Sequence, residues 1–360
     1  MSLLPGVRTP IRVLLVDDSP LVLTLLGRML AQSPEIQVVG KAHNGKEALK
    51  LIPQLQPAVI CTDYHMPIMD GLEFTKAVMA EHPRPILVIS SVVGPDNNER
   101  VFALLDAGAV DVFPKPSGGW GAGDEAAQQI IAKIKILAGV VVFKRASPKP
   151  STATTEKSAP PVTPVRIVAI GASTGGPQAL QEILTQLPPD FPCPVLCVQH
   201  ISEGFLQGLV EWLAAQCRVR VKIARSGETP LPGTVYFPEE ETHLTVDNRG
   251  RLLSSHQPAV SGHRPAVDVL FNSVAAHYGN SAVAALLTGM GSDGAIGMQA
   301  IAHASGVTMA QDEASCVVFG MPRQAIEAGA ARYILPPLQI GQTLIRCVSG
   351  QNASGQRESS

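Results

Sequence analysis

The sequence predicts an α/β protein built from two doubly wound parallel-sheet domains, the second with a small antiparallel excursion. Three observations carry that reading. The chain has 360 residues, too many for one ordinary core. Short β-branched runs alternate with amphipathic helical stretches on both sides of its middle. Between them, residues 144–164 hold five prolines and seven serines or threonines with no aromatic residue or leucine, so this segment cannot bury a core and reads as a semi-extended linker. The domains expected around it span 9–135 and 165–348, followed by a disordered tail over 349–360.

In the first domain, strands are expected at 11–16, 37–40, 58–62, 86–90 and 110–113, with helices filling the gaps. In such a five-stranded doubly wound pattern the active crevice lies beyond the carboxyl ends of the strands. The second domain opens with strands at 166–171 and 194–200, and a later strand at 282–290 runs into a Gly-rich turn and another helix. Its middle, 226–257, is richer in Gly, Pro and short alternating runs such as TVYF and HLTV. The antiparallel excursion is expected there.

A composition of 45% hydrophobic and 16% charged residues suits a compact, soluble protein, and no apolar run approaches the roughly 20 residues needed to span a bilayer. The opening MSLLPGVRTP lacks the long apolar stretch of a signal peptide, so a cytoplasmic address is expected. A formal net charge of -2 gives no reason to expect nucleic acid or an anionic membrane as partner. Six cysteines without a CxxC pair indicate reduced, packed thiols rather than a zinc site or a disulfide framework.

Polar residues fall just past the strand ends of the first domain: Asp17 and Asp18 after the first strand, Asp63 after the third and Lys115 after the fifth. A doubly wound sheet brings such ends into one pocket. Three carboxylates repel one another unless a cation sits among them, and Mg2+ takes a few carboxylate oxygens together with water and phosphate oxygens. The pocket therefore suits Mg2+-assisted phosphoryl transfer onto a carboxylate. Ser90, ending the fourth strand, could hydrogen-bond the phosphoryl group, and Lys115 could pair with it. A lone aspartate after a strand as often caps a helix, but four positions at four strand ends are poorly explained that way. With Asp17-Asp18-Ser19-Pro20, Asp63-Tyr64-His65-Met66-Pro67, Asp70-Gly71 and Lys115-Pro116, the segment resembles a response-regulator receiver domain of flavodoxin-like fold. The resemblance implies Asp63 as phosphoacceptor and Asp17, Asp18 and Asp63 as the metal site. One departure is His65, where chemotaxis relatives usually carry an acid; it changes pocket charge more than metal binding.

In the second domain a strand–turn–helix segment places Ser173 in Gly171-Ala172-Ser173-Thr174-Gly175, a G-x-S-x-G pattern that lets a hydroxyl project from a sharp turn. His200 ends the next strand, one βαβ unit on, and Asp293 follows a third. Together they supply the Ser, His and Asp of acyl transfer. Each has a structural alternative: a phosphate-cradling turn for Ser173, a satisfied core histidine for His200, and the N-cap of the helix starting near Gly294 for Asp293. The joint placement weighs against all three. His243, His256, His263 and His277 show no metal-ligand spacing and receive no catalytic role.

A short-chain dehydrogenase reading of the Gly-rich turn fails, because Pro177 stands where its third glycine belongs and no tyrosine has a lysine four residues later. A DNA-binding output is disfavoured by 12 Lys plus Arg against 15 Asp plus Glu over residues 165–360. The stretches IGASTGG, QHI with EGF, LPGTVYF, HRPAVDVLFNSVA, LLTGMGSDGAIGM and QDEASCVVFGMPRQAI resemble the catalytic domain of the chemotaxis protein-glutamate methylesterase, the CheB family. That implies a Rossmann-like serine hydrolase with Ser173 as nucleophile, His200 as base and then acid, Asp293 as the residue orienting it, and N–H groups around Thr174 and Met290 as the oxyanion hole. It also implies methyl-ester hydrolysis on glutamates of a methyl-accepting chemoreceptor, related glutamine deamidation, a chemotaxis-type histidine kinase as phosphodonor, no cofactor for the esterase itself, and a resting receiver that restrains the enzyme.

Overall fold

Strand and helix alternate through nearly the whole chain in the computed structural model, which describes residues 9–91, 95–115, 123–140 and 164–349. The expected linker and tail lie almost wholly outside those residues. The chain divides into two units, each with its own sheet.

The first unit runs β1 (Ile11–Val16), α1 (Pro20–Leu30), β2 (Ile36–Ala42), α2 (Gly45–Leu55), β3 (Val59–Thr62), α3 (Gly71–Glu81), β4 (Ile86–Ser90), α4 (Pro95–Asp106), β5 (Asp111–Pro114) and α5 (Gly123–Leu137). Its five strands are all parallel, in the order β2-β1-β3-β4-β5. All five expected strands are present. The second is longer than its apolar core, since Gly40 and Lys41 still pair with Leu14 and Leu15 across a register shift. Helix starts follow local chemistry: the Ser19, Asn44 and Asp70 side chains accept N–H groups of α1, α2 and α3, each cap contributing about 1 kcal/mol. The strand order reverses between β1 and β3, and the crevice opens there.

The second unit runs β6 (Ile167–Ala172), α6 (Gly176–Leu184), β7 (Val195–Gln199), α7 (Leu206–Gln216), β8 (Arg220–Ile223), β9 (Thr234–Phe237), β10 (His243–Val246), β11 (Leu252–Ser255), α8 (Val267–Tyr278), β12 (Ala282–Leu286), α9 (Ala295–His303), β13 (Val307–Gln311), α10 (Met321–Glu327), β14 (Tyr333–Leu335) and α11 (Pro337–Ser349). Seven parallel strands are ordered β14-β13-β12-β6-β7-β9-β8, and β10 pairs antiparallel with β11. The antiparallel excursion is therefore smaller than expected. HLTV belongs to it, but TVYF is β9, inserted in the parallel sheet between β7 and β8. All four residues of β9 are buried, as a strand covered on both faces requires.

Every residue of β6 and β12 is buried as well. Ile167, Leu196, Tyr236, Phe271, Val274 and Met298 pack into one cluster beneath them. Each such large apolar side chain contributes roughly 1.5–3 kcal/mol. This dry, close-packed centre is the rigid floor on which the strand-end loops stand.

Candidate functional site

Strands β12, β6 and β7 are consecutive neighbours in the sheet, and the loops beyond them carry Asp293, Ser173 and His200. Ser173 follows β6 in a turn closed by the Gly176 N–H donating to the Ser173 carbonyl at 2.7 Å. Gly175 has φ +77, a left-handed conformation that a side chain would strain, and Pro177 sits where a helix N-terminus tolerates it. The Ser173 N–H donates to the Thr288 carbonyl at 3.0 Å. The loop after β12 can pass this close because residue 289 is glycine: a Cβ there would stand 2.6 Å from the Ser173 Cβ. His200 is fixed through its backbone, with its N–H on the Ala172 carbonyl at 2.9 Å. The buried Gln199 amide donates to the carbonyls of both Ser173 and His200, each at 2.8 Å, tying the two loops together.

The imidazole of His200 meets Asp293 through Nε2, 2.8 Å from Oδ2. Asp293 is 2% exposed, and its charge is held by more than the histidine. Oδ2 also accepts the Val267 N–H at 2.7 Å and Oδ1 the Asp268 N–H at 2.9 Å. These are the first N–H groups of α8, whose cap position is Ala266, without a side-chain acceptor. Asp293 thus caps a helix, but α8 from a distant loop rather than α9, whose own N-cap is Gly294 with no side-chain cap bond. Charge-assisted bonds of this kind contribute about 1.5–3 kcal/mol each and suit the positive end of a helix. Burial alone would raise the Asp293 pKa, yet the bond and charge of His200 with the two N–H groups outweigh it and hold the carboxyl below its ordinary range. The neighbouring Asp268 goes the other way: burial pushes its carboxyl up, and the Asp293 charge adds to that despite a 2.7 Å bond from the Gly297 N–H.

His200 Nδ1 is buried and has no hydrogen-bond partner among the described residues. The Ser173 hydroxyl makes no hydrogen bond to it; among the described residues every bond of Ser173 runs through its backbone. So the structure joins His200 to Asp293 and sets Ser173 on the adjoining strand end, with no hydroxyl–imidazole bond among the described residues. Of the two expected oxyanion donors, the Met290 N–H has no partner among the described residues and Met290 is exposed. Thr174 is buried at the start of the same turn, its carbonyl accepting the Thr288 hydroxyl at 3.0 Å.

Several residues around the site lie in stretches that carry the family resemblance, yet nothing in their type or spacing assigns them a role. His263 lies flat on His200, with ring centroids 3.9 Å apart and planes 8° from parallel. Gln199 and the N–H groups of Val267 and Asp268 do their work through backbone contacts. His243 is structural: Nδ1 accepts the Ala266 N–H and Nε2 faces the Pro258 carbonyl, each at 3.2 Å. All six cysteines are unpaired, and burial lifts the Cys61 thiol to about 12.

In the first unit, Lys115 Nζ lies 2.8 Å from both Asp17 Oδ2 and Asp63 Oδ2. Its backbone N–H donates to the carbonyl of the buried Ser90 at 2.8 Å. Carboxylate oxygens of Asp17, Asp18 and Asp63 fall within 4.8 Å of one another. Burial raises the Asp63 pKa, only partly countered by Lys115, and Asp17 adds to the rise. Lys115 is itself raised, since its bonds and charge contacts with the two aspartates outweigh burial. Three acids against one lysine leave a negative pocket of hard oxygens, a donor set that fits a divalent cation. His65 is exposed and packs edge-on against Tyr64, ring centroids 4.7 Å apart. No helix among the described residues is long and apolar enough to cross a membrane.

Residues 168–344 match the family model described as CheB methylesterase, and residues 13–119 match that of the response regulator receiver domain. A protein-glutamate methylesterase/protein-glutamine glutaminase of Nitrosospira multiformis is 40% identical over 345 residues, which is 94% of this chain and 97% of that protein. The protein-glutamate methylesterase/protein-glutamine glutaminase 2 of Pseudomonas aeruginosa is 42% identical over 352 residues, covering 97% of this chain and 99% of that one. Among solved structures, the Thermotoga maritima CheB methylesterase catalytic domain is 38% identical, covering 51% of this chain and 99% of its own, with a TM-score of 0.49.

Proposed function

Since the chain belongs to the CheB methylesterase family and carries a receiver domain ahead of the esterase, we propose that Ser173, His200 and Asp293 perform its hydrolysis of glutamyl methyl esters under control of Asp63. The protein is a phosphorylation-regulated protein-glutamate methylesterase and protein-glutamine glutaminase of chemotaxis adaptation, a carboxylic ester hydrolase acting on chemoreceptors. One observation carries the site assignment: the His200–Asp293 pair, bonded through Nε2, leaves Nδ1 without a partner at the strand end next to Ser173.

His200 takes the Ser173 proton through Nδ1 as Oγ attacks the ester carbonyl. The oxyanion is met by N–H groups at Thr174 and Met290, of which the Met290 N–H has no partner to give up among the described residues. The imidazolium hands its proton to the departing methoxide, releasing methanol. Water, activated by the same nitrogen, then frees Ser173 and leaves glutamate; with glutamine the leaving group is ammonia. Asp293, its charge fixed by α8, holds the ring and stabilises the imidazolium throughout.

In the receiver, Asp63 accepts the phosphoryl group, Lys115 and Ser90 engage its oxygens, and Asp17, Asp18 and Asp63 would hold Mg2+. Mg2+, when bound, offsets the negative charge of the phosphoryl oxygens. A chemotaxis-type histidine kinase as phosphodonor and a cytoplasmic address go with this reading. We assign residues 9–135 to the receiver, 144–164 to the linker and 165–348 to the catalytic domain. The test is methanol release from methylated chemoreceptor by the full chain: Ser173→Ala must abolish it while the fold survives. A variant keeping more than about a hundredth of the wild-type rate would exclude Ser173 as nucleophile.

A further inference from the structure

His263 reaches the site from a segment that the triad motifs do not include, and its placement is over-determined. A two-residue turn presents it: Val260 and His263 exchange backbone bonds of 3.0 and 2.9 Å around Ser261 (φ 53) and Gly262 (φ 81). These left-handed values make a tight hairpin turn with little freedom to drift. On the other side, Arg264 pairs with Glu241 at 2.8 Å, and the Ala266 N–H is held by His243. Glu240, the residue before Glu241, accepts the N–H groups of Gly204, in the loop that follows His200, and of Leu206, which begins α7, at 2.8 and 3.3 Å. The corner between β9 and β10 therefore tethers both loops whose histidines stack.

The stack is close and flat, with centroids 3.9 Å apart and an 8° tilt. A ring lying on the face of another blocks rotation out of its plane. For His200 that plane must hold one nitrogen on Asp293 and leave the other for Ser173, and a single bond to Asp293 does not fix the rotation about its own axis. We infer that His263 is a positioning residue, a flat shelf that keeps the His200 imidazole in the plane linking Asp293 to Ser173. This rests on the triad assignment made above.

Its protonation state fits that task. Burial first, then the charge of His200, push the His263 pKa down to about 4, with Asp293 pulling weakly the other way. At the pH of catalysis the shelf is neutral and does not repel the imidazolium that forms beneath it. The nearby Arg264 is paired with Glu241, so its charge is answered locally. The role asks for a flat ring, not for a proton donor, and that separates it from a second acid or base.

The experiment measures the rate at which a fluorophosphonate probe labels Ser173 in the full chain between pH 6 and 8, alongside the thermal midpoint of each variant. His263→Ala is expected to slow labelling about 10- to 100-fold, because small misplacement of a base is costly. His263→Phe, which restores a flat ring without a titratable group, is expected to label within about threefold of wild type. His263→Leu has similar bulk and no flat face, and is expected to behave like Ala; it stands in if Ala fails to fold. Labelling of folded His263→Ala or His263→Leu at the wild-type rate would overturn the proposal. So would a folded Phe variant as slow as Ala, since that would make the imidazole itself the functional group. A wild-type protein that labels no faster than Ser173→Ala would instead overturn the triad, and the shelf with it.

Discussion

The two strand-end sites of this chain are built on opposite principles. In the receiver pocket, side chains neutralise side chains: Lys115 stands 2.8 Å from two aspartates, and the acids that remain leave the pocket negative, with Asp63 raised by its burial. In the esterase site, an acid is answered by an imidazole and by backbone together: Asp293 bonds His200 and also takes two N–H groups of α8, and its carboxyl is lowered. In the proposed function the first pocket changes charge by taking a phosphoryl group and a cation. The second is fixed before substrate arrives, as electrostatic stabilisation of a transition state requires. A switch needs unspent charge, and a catalyst needs none.

The sharpest way to break this contrast is at the proposed triad. Ser173→Ala is expected to lower methanol release by about 10^4-fold, and a folded variant keeping more than about a hundredth of the wild-type rate would remove Ser173 from the chemistry. Asp293→Asn follows, with a loss of about 10^3- to 10^4-fold in rate, from an amide in place of the charge that orients His200. If backbone neutralisation is real, that variant must also lose stability. One Asp293 oxygen becomes an NH2 facing a donor, so a buried N–H of α8 or the ring is left unpaired, costing about 1–3 kcal/mol. Denaturant unfolding of Asp293→Asn with wild-type stability would show that the capping bonds to α8 carry no weight.

Asp63→Asn is the matching change in the other pocket, with a different expectation. It relieves burial of a charge, so stability holds or rises, while stimulation of the esterase by a small phosphodonor with Mg2+ disappears. A population shift of a few kcal/mol is enough for about a hundredfold stimulation, and it is that factor, not the basal rate, which is lost. Stimulation that persists in Asp63→Asn would move the phosphoacceptor elsewhere.

How much of each site can be read in the sequence follows from the same contrast. The three receiver aspartates and Lys115 named from strand ends come together, because side chains at strand ends, in a regular βα alternation, need only strand order to converge. The esterase triad is legible in part for the same reason: β12, β6 and β7 are neighbours. Its support is not. Val267 and Asp268 act through N–H groups that every residue type carries, and His263 acts through a stack that no spacing announces. TVYF misleads in the fold for a related reason, since a four-residue run buried on both faces is compatible with either sheet, and only its partners β7 and β8 decide. Asp293 shows the limit in one residue. Its sequence position suggests a cap on α9, and its contacts make it the cap of α8.

The smallest expected effect concerns that hidden layer. His263 has an ordinary pKa of 6.5 when unfolded and about 4 when folded, so between those values the unfolded chain holds a proton that the native stack does not. Stability is therefore complete above about pH 6.5, falls as the pH drops towards 4, and falls no further from this group below that. His263→Phe has no proton to take up at this position. Its thermal midpoint is expected to decline less than that of wild type between pH 7 and 4.5, by roughly 1–3 °C, a modest difference because water still reaches part of the ring. The comparison of the two curves removes every other titrating group, which both proteins share. Parallel curves would mean that His263 takes its proton as freely in the fold as in water, and that the face it lays on His200 is not desolvated. A wider gap, accompanied by wild-type labelling of Ser173 in the Phe variant, would separate the shelf from its titration. The ring would then be kept for its shape, and its low pKa would be the consequence of packing against a base that must itself take up a proton in every turnover.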